Sequence, residues 1–278
     1  MHLTQFGALP AVAIEAADGA RAIVTLYGGH LVSWRTADGR ERLFCSARSA
    51  LDGGRAIRGG VPLIFPQFGA RGDGLRHGFA RVCHWRPAGH GRDDEEAYAV
   101  FQLAAADLPA ELAAAWPYAF ELSFRVALRG DTLSLALSVR NTGEAAFPFS
   151  AALHSYFLVE QLDACRLAGL QHVRYSDESG AAALQAEAEL GFADKLDRIY
   201  YQLPAPLLLR AGAAALRLEQ DGFTDAVVWN PGAADAAALS DMEDEEYRRF
   251  VCVEAALIEP DLLAGGAEWT GLQRVAAQ

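Results

Sequence analysis

Apolar and polar residues alternate along much of the chain, a period-two pattern typical of strands that bury one face. In the stretch 120–140 every second residue is apolar on both sides of the turn sequence Arg129-Gly130-Asp131. An antiparallel hairpin is therefore predicted there. Similar alternation occurs in five further stretches, residues 23–34, 98–103, 149–159, 226–229 and 250–253.

Helical signals are few and short. Only residues 108–115 and 241–249 have a composition that favours a turn or two of helix. Many strands with scarce helices predict an all-β fold, an antiparallel sandwich with few short helices. No Pro-, Gly- or Ser-rich linker divides the chain, so we expect a single domain spanning residues 1–278.

Composition narrows the class of protein. The 278 residues are 52% hydrophobic and 22% charged, which is enough apolar material for a substantial core. A net charge of −12 argues against binding to nucleic acid or to an anionic membrane surface. We find no apolar run long enough to span a bilayer and no secretory signal. The four cysteines are widely spaced and form no CxxC pair, so reduced thiols and a cytoplasmic location are expected.

One segment is basic, although the chain as a whole is acidic. Residues 55–81 hold five arginines and one aspartate, a local charge of +4, interleaved with prolines, glycines and aromatics. Because the guanidinium fork matches carboxylate or phosphate oxygens two at a time, the segment predicts a binding loop for a small anion.

Two polar residues lie in apolar strand patterns, His154 in SAALHSYFLV and Glu254 in FVCVEAALIEP. A buried histidine whose nitrogens bond to the backbone, and a glutamate paired with an arginine, are the structural interpretations. A carboxylate and a histidine brought together across one pocket would instead form a general base and a general acid suited to neutral pH.

Other candidates carry weaker signals. Asp197 lies at a predicted strand start, and Asp225 and Trp229 flank another strand. The loose cluster of His77, Cys83, His84 and His90 has no zinc-ligand spacing, so no metal is expected. No motif for a nucleophilic serine, a P-loop or a dinucleotide is present.

Six strings occur in an order similar to that of the glucose-6-phosphate 1-epimerases, the hexose-6-phosphate mutarotases of the aldose 1-epimerase superfamily. They are RGGVPLIFPQFG, HGFAR, LHSYF, DRIY, VVWNPG and DMEDEEYRRFVCVEAA. The resemblance covers about residues 23–275 and implies a β-supersandwich of the galactose mutarotase type. It also implies a monomer that acts on a small phosphosugar without a cofactor.

The resemblance assigns roles residue by residue. It implies that Glu254 is the catalytic base and His154 the catalytic acid that opens the sugar ring. It places Arg58, Arg81 and Asp197 at substrate-binding positions. Two further residues, Arg76 and His77, complete the predicted substrate site; Arg76 stands where family members often have Gln immediately before the HGFAR-type motif.

Three other functions fit parts of the same pattern. A free-aldose mutarotase would use the same acid and base, with the arginines structural. A non-catalytic carbohydrate-binding sandwich would keep only the pocket. A glycosidase would use Asp197 and Glu254 as its two carboxyl groups, which must then lie about 5–10 Å apart.

Overall fold

The computed structural model describes residues 2–204, 206–212 and 214–278. In these residues it contains 21 strands, two α-helices and four short 3₁₀ helices. The strands are β1 His2–Phe6, β2 Leu9–Glu15, β3 Arg21–Thr25, β4 His30–Arg35, β5 Leu63–Ile64, β6 Arg86–Arg92, β7 Ala97–Ala104, β8 Phe120–Arg129, β9 Thr132–Asn141, β10 Phe147–Leu153, β11 Tyr156–Leu158, β12 Arg166–Ala168, β13 Arg174–Asp177, β14 Ala182–Leu184, β15 Glu189–Gly191, β16 Leu196–Tyr200, β17 Leu207–Ala211, β18 Ala214–Asp221, β19 Asp225–Asn230, β20 Phe250–Leu263 and β21 Glu268–Ala277. The helices are α1 Ala110–Ala115 and α2 Gly232–Ala238, with 3₁₀ turns at Ala80–Val82, Ala105–Asp107, Leu162–Ala164 and Glu246–Arg249.

Three antiparallel sheets make up the fold. A four-stranded sheet has the order β1-β2-β3-β4, and a nine-stranded sheet has the order β15-β12-β17-β18-β21-β9-β8-β7-β6. The eight-stranded sheet has the order β14-β13-β16-β19-β20-β10-β5. The eighth strand, β11, pairs with Phe250–Cys252 of β20, on the same edge of β20 as β10. The order brings β16, β19, β20 and β10 side by side, although they are far apart in sequence.

The sheets share one large hydrophobic core. Buried side chains from all three sheets contribute to it, among them Val24 of β3, Phe124 of β8 and Val253 of β20. The predicted hairpin is confirmed as β8 and β9, whose strands pair from Phe120 opposite Asn141 to Arg129 opposite Thr132. Its alternating apolar residues are fully buried, as expected for strands with one face against a core.

The all-β prediction and the helical turns expected within 108–115 and 241–249 are confirmed, but the bounds of several elements differ from the expectation. Residues 23–34 form parts of β3 and β4 rather than one strand, because Gly28 and Gly29 have positive φ angles and turn the chain. The alternation at 149–159 is interrupted between β10 and β11. In 241–249 only Glu246–Arg249 is helical, as a 3₁₀ turn, whereas the unpredicted α2 precedes that segment.

None of the helices in the described ranges is long and apolar enough to cross a membrane.

Candidate active site

Glu254 lies in the middle of β20, on an apolar surface of the eight-stranded sheet. Its neighbours Val253 and Ala255 belong to the shared core, so the alternation of the strand turns the Glu254 side chain to the other face. A second, smaller hydrophobic cluster covers that face, made of Ile64, Phe68, Ala152, Val227, Ala256 and Ile258. The Glu254 residue is only 1% exposed, so its carboxyl group is almost fully removed from water.

Strand register brings Asp197 and Trp229 to the same face as Glu254. Trp229 of β19 is paired with Cys252 of β20 on one side and with Asp197 of β16 on the other. Cys252 and Glu254 are two residues apart on one strand, so all these side chains point the same way. The prediction that Asp197 is a polar group at a strand start is confirmed, since it is the second residue of β16.

His154 reaches Glu254 because the strand pattern breaks beside it. β10 ends at Leu153, which pairs with Ala255, and β11 begins at Tyr156, which pairs with Cys252. In the gap, the backbone N–H of His154 donates to the carbonyl oxygen of Pro62 at 3.1 Å. The imidazole Nδ1 then lies 3.2 Å from Oε1 of Glu254.

Aromatic rings hold the His154 imidazole in place. It stacks on the Tyr156 ring, with centroids 4.9 Å apart and planes inclined by 9°. Trp229 meets it edge-on with centroids 6.0 Å apart, and His77 also meets it edge-on with centroids 5.7 Å apart. These contacts fix the ring plane relative to the Glu254 carboxyl group.

Arg58 approaches the same aromatic wall. Its Nη1 donates to the Tyr156 hydroxyl oxygen at 3.1 Å, while Nε and Nη2 donate to the two carboxylate oxygens of Asp241, each at 3.2 Å. The next residue, Gly59, has φ +116°, and a Cβ there would lie 2.4 Å from the carbonyl oxygen of Phe44. A side chain larger than hydrogen would therefore force apart the turn that presents Arg58.

The loop that carries Arg76 and His77 leads directly into the 3₁₀ turn Ala80–Val82, which carries Arg81. The Gly69 N–H donates to Nδ1 of His77 at 3.2 Å, which leaves the ring proton of the neutral imidazole on Nε2. Arg81 donates from Nη2 to the carbonyl oxygen of Arg76 at 2.8 Å, and its buried Nε has no partner in the described residues. The Arg76 side chain itself is exposed.

Burial opposes charge on both members of the acid–base pair. It raises the pKa of Glu254 well above 4.5, and the nearby Asp197 raises this pKa further while Arg81 lowers it. Burial also lowers the pKa of His154 well below 6.5, and the neighbouring His77, Arg81 and Arg58 lower it further. In the pair without a ligand, burial therefore favours a protonated carboxyl group beside a neutral imidazole.

The neighbouring titratable groups follow the same physics. Burial and the charges of Arg81, Arg76 and Arg58 lower the pKa of His77 to about 3, so this ring is neutral near pH 7. Burial, and secondarily the charge of Glu178, raises the pKa of Asp197. Three arginines thus set the potential of a site whose histidines carry no charge.

Unpaired polar atoms collect at this site. In the described residues six buried side-chain nitrogen or oxygen atoms have no hydrogen-bond partner. Three of them are Glu254 Oε2, Arg81 Nε and His154 Nδ1, whose 3.2 Å contact with Glu254 Oε1 lacks the alignment of a hydrogen bond. Buried polar atoms normally have partners, so the cluster indicates a place for a ligand rich in hydroxyl groups and negative charge. A carboxyl group beside an imidazole can move protons on such a ligand.

Most of the predicted site residues lie close together in the structure. They are His154, Glu254, Arg58, His77 and Arg81, and Asp197 lies on the same face of the sheet as Glu254. The interpretation of His154 as a backbone-satisfied histidine was wrong for Nδ1, and Glu254 has no arginine partner in the described ranges.

Several other residues have structural contacts instead. Asp225 accepts hydrogen bonds from the backbone N–H groups of Gln202 and Ile258. The exposed Arg55 donates to Ser240, and Arg71 pairs with Glu259. Among the described residues no group of three or more His, Cys, Asp or Glu side chains could hold a metal ion.

Two residues of the site were missed as functional candidates, Tyr156 and Asp241. Tyr156 stood in the sequence as an apolar neighbour of His154, and only its hydroxyl contact with Arg58 distinguishes it. Asp241 lies in an acidic stretch, and no spacing rule links it to an arginine 183 residues earlier.

Comparison with known proteins places this chain in a family. Residues 10–276 match the sequence profile of the family described as aldose 1-epimerase. The chain belongs to the aldose 1-epimerase family. A relative from Cenchrus ciliaris, which carries the provisional name glucose-6-phosphate 1-epimerase, is 35% identical over 277 residues, covering 95% of this chain and 83% of the relative.

Solved structures extend the family likeness to the fold. A provisionally named mutarotase from Salmonella typhimurium superposes with a TM-score of 0.89 at 28% identity, covering 99% of this chain and 92% of that one. A galactose mutarotase-like protein from Clostridium acetobutylicum superposes with a TM-score of 0.77 at 15% identity, covering 100% and 98%. The predicted galactose mutarotase-like fold is confirmed.

Proposed function

We propose that this protein interconverts the α and β anomers of a hexose 6-phosphate, with glucose 6-phosphate as the expected substrate. The observation that carries the proposal is the 3.2 Å approach of His154 Nδ1 to Glu254 Oε1 beneath a group of arginines. Family membership and the provisional name of the Cenchrus ciliaris relative support it.

In the proposed reaction Glu254 acts as the base and His154 as the acid. The Glu254 carboxylate takes the proton of the C1 hydroxyl, and the protonated imidazole gives its proton to the ring oxygen as the C1–O5 bond breaks. The open-chain aldehyde turns about C1–C2 and recloses on its other face, with both proton transfers reversed. Each group contributes roughly 10²–10⁴-fold to the rate. Side chains carry every step, so no cofactor is needed.

The proton distribution of the free site fits this cycle. Ring opening leaves the proton on Glu254 and a neutral His154, which is the state that burial favours in the free protein. The reverse state, a carboxylate beside an imidazolium, has the same total charge. A bound phosphate carries about −1.5 to −2 charges near pH 7 and favours the imidazolium. Substrate binding therefore shifts the proton to the position that ring opening requires.

The arginines are proposed to select the phosphate. The chain as a whole has a charge of −12 and repels a phosphate ester at long range. Arg81 and the exposed Arg76 supply the local positive potential for capture. Arg58, which is paired with Asp241, is proposed to offer its remaining N–H donors to the phosphate. Asp197 is proposed to accept hydrogen bonds from sugar hydroxyls, and His77 to donate one from Nε2.

One observation favours a second candidate function. Because Asp241 already neutralises Arg58, the arginines could be structural and the substrate a free aldose. NMR exchange spectroscopy of the anomeric C1 signals distinguishes the two functions. The rate of spontaneous mutarotation is subtracted, and the catalysed rates for glucose 6-phosphate and glucose are then compared. A higher kcat/KM for the phosphosugar supports the proposal, and equal or higher values for glucose contradict it.

We further propose that the protein acts as a single-domain monomer in the cytoplasm. All four cysteines are free thiols, which supports a reducing compartment. The expected partner is a small phosphosugar, rather than nucleic acid or a membrane.

A further inference from the structure

Arg58 is fixed by an acidic segment that follows α2. The two carboxylate oxygens of Asp241 accept from its Nε and Nη2, and the side chains of Arg58 and Asp241 are 22% and 14% exposed. This bidentate pairing fixes the direction of the guanidinium as well as adding interaction energy. It determines where the guanidinium lies before any ligand arrives.

The same segment also holds the backbone of Arg58, through Glu246. Oε2 of this buried residue accepts from the Ser46 hydroxyl at 2.6 Å, and Oε1 accepts from the Ala47 N–H at 3.0 Å. The Ser46 N–H in turn donates to the carbonyl oxygen of Arg58 at 2.9 Å, and the Arg58 N–H donates to Ser49 Oγ at 2.6 Å. The guanidinium of Arg58 is thus held by Asp241, and the backbone of Arg58 is held through Ser46 by Glu246.

The anchored guanidinium still has donors to offer. Asp241 uses one N–H on Nε and one on Nη2, and Tyr156 uses one on Nη1, so one N–H remains on each Nη. These N–H groups can donate charge-assisted hydrogen bonds to the oxygens of a phosphate group. Tyr156 stacks on His154, and the charge of Arg58 lowers the pKa of His154, so Arg58 lies close to the acid–base pair.

Arg81 provides a contrast within the same site. Its one side-chain hydrogen bond in the described residues goes to a carbonyl oxygen, and no carboxylate neutralises it there. Arg81 therefore contributes uncompensated positive charge, whereas Arg58 contributes a fixed direction.

We propose that Asp241 is a positioning residue that favours the phosphorylated sugar by holding Arg58 against the Tyr156 hydroxyl. The inference rests on the function proposed above. An arginine that is already ordered loses less side-chain entropy when it binds phosphate, so the benefit falls on substrate affinity rather than on the proton transfers.

The kinetic test compares Asp241→Ala with Asp244→Ala, which removes an exposed negative charge from the same segment. For Asp241→Ala we expect KM for glucose 6-phosphate to rise about three- to tenfold, the range for ordering one long side chain. We expect kcat to change less than twofold and kcat/KM for glucose to fall by a smaller factor. Asp244→Ala should resemble the wild type. Asp241→Asn, which keeps the size and one acceptor, should give a smaller rise and replaces the alanine variant if that one does not fold.

A second readout does not depend on activity. In ¹⁵N NMR spectra the Nε–H of Arg58 should exchange slowly with water in the wild type and in Asp244→Ala, and rapidly in Asp241→Ala. If the wild type has no preference for the phosphosugar, the proposed function fails. The exchange rate of the Arg58 Nε–H still shows whether Asp241 positions Arg58. An unchanged or lower KM, equal losses on both substrates, or a slow Arg58 signal in Asp241→Ala would overturn the inference.

Discussion

Replacing Glu254 with glutamine should make the protein more stable as well as inactive. The wild-type carboxyl group is 1% exposed, and its Oε2 has no hydrogen-bond partner in the described residues. Burial raises its pKa well above the value of 4.5 that it has in the unfolded chain. The side chain of glutamine has nearly the same shape and carries no charge at any pH, so it avoids the cost of burying a carboxylate.

The stability gained by Glu254→Gln over the wild type should increase as pH rises. Above pH 4.5 the unfolded wild type has released the Glu254 proton, while the folded protein keeps it up to the raised pKa. The folded state binds more protons, so this group lowers the free energy of unfolding by up to about 1.4 kcal/mol for each pH unit. His154 and His77, whose pKa values are lowered, act in the opposite direction only below about pH 6.5. Above pH 6.5 the two histidines no longer contribute. The cysteines, whose pKa values are raised by burial, contribute equally to both proteins and cancel when Glu254→Gln is compared with the wild type.

Urea denaturation between pH 6.5 and 8.5 measures the effect. The stability advantage of Glu254→Gln over the wild type should grow as pH rises, with a slope of up to about 1.4 kcal/mol per pH unit. Glu268→Gln, which changes an exposed carboxylate on β21, should run parallel to the wild type. If the curves of Glu254→Gln and the wild type are also parallel, the carboxyl group is already ionised in the folded protein and the reasoning fails.

Three further variants test the site and the core. Arg81→Gln should raise KM for glucose 6-phosphate about tenfold or more and affect glucose less, whereas the exposed Arg71→Gln should change neither; steady-state anomer exchange measures both, and equal losses on the two substrates would refute phosphate selection. Phe124→Ala removes a fully buried ring and should lower the free energy of unfolding by about 3–5 kcal/mol in urea titrations; a loss below about 1 kcal/mol would contradict its place in the core. Gly78→Ala places a Cβ 2.0 Å from the carbonyl oxygen of Phe65 at φ +69°, so it should lower both stability and exchange rate, and wild-type values would show that this loop is not constrained.

The sequence predicted those features that depend on local alternation. The strands around 120–140 and the apolar context of Glu254 follow from a period of two, which a buried sheet face imposes directly. The position of His154 does not follow in this way, because it requires a break between β10 and β11 that the unbroken apolar pattern hides. The Asp241 contact depends on how distant segments meet, and α2 has an Ala-rich sequence without a clear apolar stripe. The expectation of one domain, the monomeric state and the residue roles stay predictions.

The most direct test of the central claim is the rate of anomer exchange in variants of the acid–base pair. NMR exchange spectroscopy on glucose 6-phosphate should show that His154→Ala and Glu254→Gln each lower the catalysed rate by about 10²–10⁴-fold. The matched controls His90→Ala and Glu268→Gln, which change exposed residues, should keep it. If both pair variants fold and exchange anomers at the wild-type rate, His154 and Glu254 are not the catalytic acid and base.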